Sequence, residues 1–463
     1  MTPALAGIIG WIVLQLGIGY WASRRIVSEE DYLVAGRSLG YPLAIATVFA
    51  TWFGAETCIG AAGEAASNGL AGTVADPFGY AFCLVGMGVF FARALWRRKL
   101  ETMGDLYRER FGVGVERLAV LMMVPTSVLW AAAQIRAFGQ VLAAASPLEV
   151  HVTIGIAAAV VVAYTMFGGL LADTITDFVQ GGALLVGLCA LGVAVWTSDA
   201  AAGVHIPTER LSLAVQGGWL DTAEAWAVPV VGSIVAQELV ARVIAAKNAD
   251  VAARSSIFAG LLYLAVGLIP VGIGLAAPQL LGPLDDPEQV LVVAAERFLP
   301  TALYVVFTGA LVSAILSTVD SALLVAGSLL GHNVLAPMLG VQDDARRVRI
   351  DRLAVAGFGV LAWVLAESSE GVYELVEMAS GLGTSGLFVL VIVALVPGSP
   401  GGKWTAAATM LTGLAVYVAG EIFGLFGTPY VFSLIASVVV YGVGAALEKG
   451  PPAAPAPLAE GTT

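Results

Sequence analysis

Apolar runs of about 20 residues, the length of helix that crosses a hydrocarbon core, recur along the whole chain. They place thirteen spans near 4–22, 41–68, 75–96, 115–145, 152–171, 175–197, 223–246, 256–280, 301–334, 352–367, 371–397, 404–426 and 428–447. The pattern predicts an all-α, polytopic membrane protein. The first run lacks the basic leader and small-residue cleavage site of a signal peptide, so it reads as a retained span. The Pro/Ala-rich stretch 450–463 reads as a disordered tail.

Charge supplies the sidedness. Arg24, Arg25 and Arg37 follow the first span; Arg97, Arg98, Lys99, Arg108 and Arg110 follow the third. Lys247 and Arg254 follow the seventh, Arg346, Arg347, Arg349 and Arg352 the ninth, and Lys403 the eleventh. With thirteen helices these loops all lie on one side. The opposite loops hold only Arg210 and Arg297, among Asp199, Glu209, Asp221, Asp285, Asp286 and Glu288. Lys and Arg mark the cytoplasmic side, so the N-terminus is expected outside and the C-terminus inside the cell membrane. A miscounted helix would scramble this alternation.

Composition excludes other classes. The chain is 59% hydrophobic and 12% charged, against about 25% charged in soluble domains; much of its surface must meet the lipid bilayer. The net charge of −12 comes without a basic patch, so no nucleic-acid partner is expected. Cys58, Cys83 and Cys189 form no paired or metal-like spacing. His151, His205 and His332 have no neighbouring ligands in sequence, so no metal centre is expected.

Two spans are interrupted. The second contains Phe53-Gly54-Ala55-Glu56, then Gly60, Gly63 and Glu64; five spans later the seventh contains Pro229, Gly232, Gln237 and Glu238. Freed backbone groups at membrane depth are tolerated only against protein or a water-filled cavity. Breaks at corresponding places in two five-helix halves point to an inverted-repeat transporter with a site near the midplane. The organisation expected is a leading helix and loop (1–40), a first five-helix repeat (41–197), an extracellular loop (198–222), a second repeat (223–397) and two trailing helices (398–449) before the tail.

Carboxylates within spans are costly and therefore usually functional or paired. Glu56, Asp177, Glu238 and Asp320 are the candidates, with Arg136 as an internal partner; Asp173 reads as structural, at the entry of the sixth span. In the ninth span Ala314, Ser317 and Thr318 stand at i, i+3 and i+4 on one helix face, and Asp320 and Ser321 extend the row. Hydroxyls, a carboxylate and carbonyls freed at a break are the ligands a small hard cation requires. The same hydroxyls could instead bond their own helix or join helices.

The sequence resembles the sodium:solute symporter family, whose members have the inverted-repeat fold of the bacterial leucine transporter plus a leading helix. The resemblance rests on Asp31–Leu39, on Ala50–Glu56 with Gly60, Gly63 and Glu64, on Tyr164–Leu170 with Thr176, Asp177 and Gln180, and on the ninth-span row. It runs from residue 31 to about 335. It implies a sodium ion between the second and ninth spans, held by the carbonyls of Ala50, Phe53 and Ala314 and the hydroxyls of Ser317 and Thr318. It also implies a second sodium further inward, at Asp177, Ser317, Asp320 and Ser321.

For the solute, Ala50-Thr51-Trp52 and Trp130-Ala-Ala-Ala-Gln134 resemble the high-affinity choline transporter branch of that family. Two tryptophan faces suit a quaternary ammonium, although each also suits interfacial anchoring or packing. The branch carries a third tryptophan in the broken seventh span, where Ala236 precedes Gln237 here; the cage is incomplete. Glu56 and Glu238 suit a cationic amine. The expected solute set is Trp52, Glu56, Trp130, Ala236, Gln237 and Glu238, and Gly381, Gly383 and Ser385 suggest a gate segment.

The expectation is therefore sodium-coupled symport of a small organic solute by alternating access. A proton-coupled transporter of the same fold, using Asp177 or Asp320, is the alternative. An enzyme would need an HExxH, P-loop or Ser/His pair, and a membrane sensor a long cytoplasmic extension; the chain offers neither.

Overall fold

The computed structural model describes residues 3–24, 28–284, 286–369, 372–382 and 384–448. The tail and Gly383 lie outside the described residues. Helical segments occupy each of the thirteen runs. In order they are α1 (Pro3–Ser23), α2 (Glu29–Val34), α3 (Tyr41–Trp52), α4 (Ala61–Asn68), α5 (Tyr80–Gly86), α6 (Ala92–Arg97), α7 (Met103–Phe111), α8 (Val113–Ala145), α9 (Val150–Trp196) and α10 (Trp219–Ala227). Then follow α11 (Gln237–Ile244), α12 (Ala249–Leu280), α13 (Val290–Phe298), α14 (Thr301–Leu330), α15 (Ala336–Met338), α16 (Asp344–Ser368), α17 (Val372–Leu382), α18 (Leu387–Leu395), α19 (Lys403–Phe423) and α20 (Pro429–Leu447).

Local chemistry sets the interruptions. Gly169 takes φ +62° inside α9, which L side chains resist, and divides it into the expected fifth and sixth spans. The seventh span is bent by 41° between Gly232 and Gln237. Seven helices among the described residues are long and apolar enough to cross a bilayer singly, and this bent pair makes an eighth.

The core is built around α14, which packs on α8, α9, α1 and α16. It is buried continuously from Phe307 to Leu329, so its Ser, Thr and Asp side chains meet protein and not lipid. Large apolar side chains such as Phe82, Phe90, Val186, Phe258, Leu353 and Ile435 lie exposed around the outside. A surface of that kind requires lipid.

The two ends differ. At the end carrying the acidic loops, Arg210 donates to the carbonyls of Ala65 and Ala66 (2.7 and 2.6 Å) and Arg297 to that of Leu280 (2.7 Å). Both arginines cap helix C-termini, where cations are favoured. At the basic end, Arg37 donates to the carbonyls of Lys99 and Leu100, and Leu39 pairs with the strand-like segment at Ala246. His332 Nδ1 lies 2.9 Å from Glu29, which Arg347 also contacts at 2.8 Å. Thr102 and Asn333 join the start of α7 to the end of the ninth span at 2.8 Å. The partners of His332 are remote in sequence, which is why its surroundings suggested none.

Candidate ion and solute sites

The break after α3 follows from two hydrogen bonds. In an uninterrupted helix Gly54 N–H would donate to Ala50 O and Ala55 N–H to Thr51 O. Here Gly54 N–H turns to Trp52 O (3.0 Å) and Ala55 N–H to Gln134 Oε1 of α8 (3.2 Å). The Ala50 carbonyl is released, and Thr318 Oγ1 of α14 faces it at 3.5 Å and Ala314 O at 3.3 Å. These separations exceed the usual hydroxyl hydrogen bond of about 2.5–3.0 Å. They match adjacent oxygens around a cation bound at about 2.3–2.6 Å, which in octahedral geometry lie about 3.3–3.7 Å apart. A Cβ at Gly54 would meet Thr318 Oγ1 at 2.6 Å, so glycine is what lets the break approach α14.

Ser317 turns elsewhere. Its hydroxyl donates to Asp177 Oδ1, and Thr47 Oγ1 donates to Asp177 Oδ2 at 2.5 Å. One turn further along α14, the single Ser321 hydroxyl proton is shared between Asp173 Oδ2 (3.0 Å) and Ser317 O (2.8 Å). The fully buried Arg242 guanidinium of α11 bonds both Asp173 and Ser321. Asp320 accepts from the N–H of Ser321 at 2.9 Å. The four residues expected around a second ion thus divide: Ser317 and Asp177 form one layer, while Ser321 belongs to a layer that already contains a fixed cation. Asp173, expected to have a structural role at the entry of the sixth span, is a buried ion-pair partner of Arg242. Arg136 donates to the carbonyl of Ala366 at 3.0 Å, at the end of α16.

Five of the six expected solute residues line two separate cavities, and Trp52 lines neither. Trp130, Ala236, Gln237 and Glu238 border one of ≈ 20 Å³. Trp52 packs edge-to-face on Trp130, with ring centroids 5.3 Å apart. Ser127 donates to Glu238 Oε1 at 2.5 Å, and Gln237 Oε1 accepts from Met103 N–H at 2.6 Å, which ties that side chain to α7. Glu56 instead borders a cavity of ≈ 220 Å³ with Glu64, Tyr80 and Pro229. Beside Glu56, Asp76 accepts from Thr57 Oγ1 (2.7 Å) and Tyr263 OH (3.0 Å), and Tyr263 also reaches Trp52 O (3.3 Å). The eleventh span is interrupted between α17 and α18, where Gly386 takes φ +84°; Gly381 and Ser385 flank that interruption.

Sequence reasoning missed Thr47, Asp76 and Arg242, and singled out Gln134 only as the end of a motif. Thr47 stands three residues before Ala50 and Arg242 four after Glu238, so helix-face spacing could have found both. Asp76 and Gln134 join through tertiary contacts alone.

The profile of the Sodium:solute symporter family matches residues 32–397. The chain belongs to the sodium:solute symporter family. It is a multi-pass membrane transporter and not an enzyme. The symporter is 28% identical over 409 residues to the high-affinity choline transporter 1 of Drosophila melanogaster, covering 82% of this chain and 65% of that one. It is 27% identical to the human high affinity choline transporter 1, over 93% of this chain and 78% of that one. The high-affinity proline transporter PutP of Bacillus subtilis is also 27% identical, over 89% of this chain and 90% of the other. The chain therefore spans just under two thirds of the fly protein's length. In fold it is similar to a Na+-coupled sialic acid symporter solved in a substrate-bound outward-open state, with TM-score 0.82, 16% identity and coverage of 97% and 98%. It is also similar to the nucleobase-cation-symport-1 family transporter Mhp1 in a closed conformation, with TM-score 0.63, 16% identity and coverage of 92% and 98%. The fold is the inverted-repeat fold of the leucine transporter.

Proposed function

We propose that this symporter couples inward movement of sodium to uptake of a small organic amine or quaternary ammonium compound. The observation that carries the sodium reading is the Ala50 carbonyl, released by Gly54 and faced by Thr318 across the α3–α14 junction. The proposed ligands are the carbonyls of Ala50, Phe53 and Ala314 with the hydroxyls of Ser317 and Thr318; Ser317 must turn from Asp177 to complete the set. Sodium binding there holds the broken α3 segment against α14. Since Trp52 ends α3 and packs on Trp130, which borders the cavity, the ion also steadies that side of the solute site, giving positive coupling between ion and solute. With the basic end inside the cell, entry of the ion is driven by its gradient and by about 2.3 kcal/mol per charge per 100 mV.

The amine reading rests on chemistry near the breaks. Buried Trp52 and Trp130 stand edge-to-face beside the cavity that Glu238 borders, so aromatic surface and a carboxyl group lie together there. A desolvated cation over an aromatic face gains about 2 kcal/mol or more. Several relatives are choline transporters, which fits that chemistry.

Proton coupling is the second reading, because the buried Asp177 carboxyl is held by the hydroxyls of Thr47 and Ser317. Proteoliposome uptake of labelled choline separates the two. Uptake driven by an inward sodium gradient at equal pH supports sodium coupling. Uptake that follows the pH gradient and ignores sodium rejects it.

A further inference from the structure

An open groove of ≈ 1030 Å³ runs along the outside of the molecule between the third span, the broken seventh span and α18. Its lining is aliphatic or aromatic throughout, and Phe82, Val89 and Phe90 stand exposed in it. Phe82 pairs with Trp226 and Phe91 with Phe388, ring centroids 5.7 and 6.2 Å apart, so the third span is tied to both walls. From Phe82 to Ala94 that span covers about 18 Å of helix, close to half of a hydrocarbon core about 30 Å thick. The groove is as long as one leaflet is deep.

Its mouth at the basic end carries charge. Arg97 and Arg98 stand three and four residues beyond Ala94, on the helix face that lines the groove. Arg97 is exposed. Arg98 donates to the carbonyl of Ala394 at 2.8 Å, beside Leu395 and Val396 of the opposite wall, and lies 3.4 Å from Glu109. Apolar packing alone does not choose between lipids, since their tails are as apolar as the side chains they meet. The headgroup decides. Guanidinium groups bond phosphate oxygens in pairs, and each basic side chain near an anionic headgroup is worth about fivefold in affinity. A sterol would bring a neutral hydroxyl and leave that charge unused.

We infer that this groove is a lipid site, holding an acyl chain of an anionic phospholipid with its headgroup at Arg97 and Arg98. The place matters because the wall is shared. Gly232, Ser233 and Ala236 of the broken seventh span line the small cavity beside Trp130, whereas Val230, Val231 and Ile234 of the same segment line the groove. At the other interruption Leu387 and Phe388 divide in the same way. A chain bound in the groove therefore rests on the back of both interrupted segments.

The test is native mass spectrometry of the purified full chain, titrated with phosphatidylglycerol and phosphatidylcholine that carry the same palmitoyl and oleoyl chains. The first phosphatidylglycerol should be retained at least about tenfold more tightly than phosphatidylcholine, the preference of two arginines. Arg97→Gln should lower that ratio about fivefold, and Arg97→Gln/Arg98→Gln should bring it to about twofold or less. Val89→Trp, which fills the groove, should weaken the first site for both lipids. Val186→Trp, on an exposed position of α9 away from the groove, should leave it unchanged. Equal retention of the two lipids by the parent chain would overturn the inference, as would a first site untouched by Val89→Trp. A dimer that forms in the parent and is lost in Val89→Trp would put a second copy in the groove and overturn it too. If Arg97→Gln/Arg98→Gln does not fold, the single exposed substitution and the parent ratio still decide. The readout needs no cargo, so it stands whichever solute is carried.

Discussion

Thr318 and Ser321 stand three residues apart on the same buried helix, yet their surroundings are opposite in kind. Thr318 faces neutral carbonyls, those of Ala50 and Ala314, with separations too long for good hydrogen bonds. Ser321 is bonded tightly by Asp173 and Arg242. The first level offers oxygens that a helix break has released; the second has a cation attached to the chain. The difference shows how one row of hydroxyls can serve both ion binding and structure. A mobile ion needs oxygens that a helix break has released, whereas a permanent guanidinium needs a paired carboxylate.

The comparison can be broken from either side. The largest effect is expected from Arg242→Met, which leaves Asp173 without its cation in a buried place. Removing one partner of a buried pair costs about 3–5 kcal/mol, so the variant should show a much lower thermal unfolding temperature. The conservative double change Arg242→Met/Asp173→Asn should recover most of that loss. A single variant as stable as the parent would show that Arg242 is not the fixed charge of that level.

Gly54→Ala should come next. Its Cβ would stand 2.6 Å from Thr318 Oγ1, and overpacking of that kind costs about 1–3 kcal/mol. Because the strain falls on the released carbonyl, sodium affinity should drop by roughly ten- to a hundredfold, the same energy expressed in binding. Sodium titration of the variant's thermal stability reads this directly. A smaller loss is expected from Thr47→Val, which removes one hydroxyl from Asp177 but no ligand from the first level. About 1 kcal/mol of stability should be lost, with sodium affinity changing less than in Gly54→Ala. The reverse order in sodium affinity would move the ion from the Thr318 level to the Asp177 level.

Much of the fold was legible because the bilayer imposes a simple rule. Backbone groups in lipid must be satisfied internally, so long apolar runs become helices, and the breaks at Gly54 and Gly232–Gln237 stand where Gly and Pro interrupt those runs. The face shared by Ala314, Ser317 and Thr318 was equally legible from helical spacing. Side-chain direction was not. Ser317 reaches Asp177, Gln237 ties to α7 through Met103, and Glu56 opens on a different cavity from Trp130. These outcomes depend on which helix lies opposite, and no periodicity within one helix encodes that. Arg242 was overlooked because it sits near the end of a span, where an arginine ordinarily reaches the interface; here it is buried beside Asp173.

The account depends most on sodium being held by the hydroxyl pair of α14. The direct measurement is the sodium concentration that half-saturates solute uptake in the Ser317→Ala/Thr318→Ala variant, compared with the parent chain in the same proteoliposomes. Loss of two ligating hydroxyls, each a contact to a charged group of about 1.5–3 kcal/mol, should raise that concentration by at least about a hundredfold. An unchanged sodium requirement in the double variant would contradict the placement of the ion and, with it, the coupling proposed here.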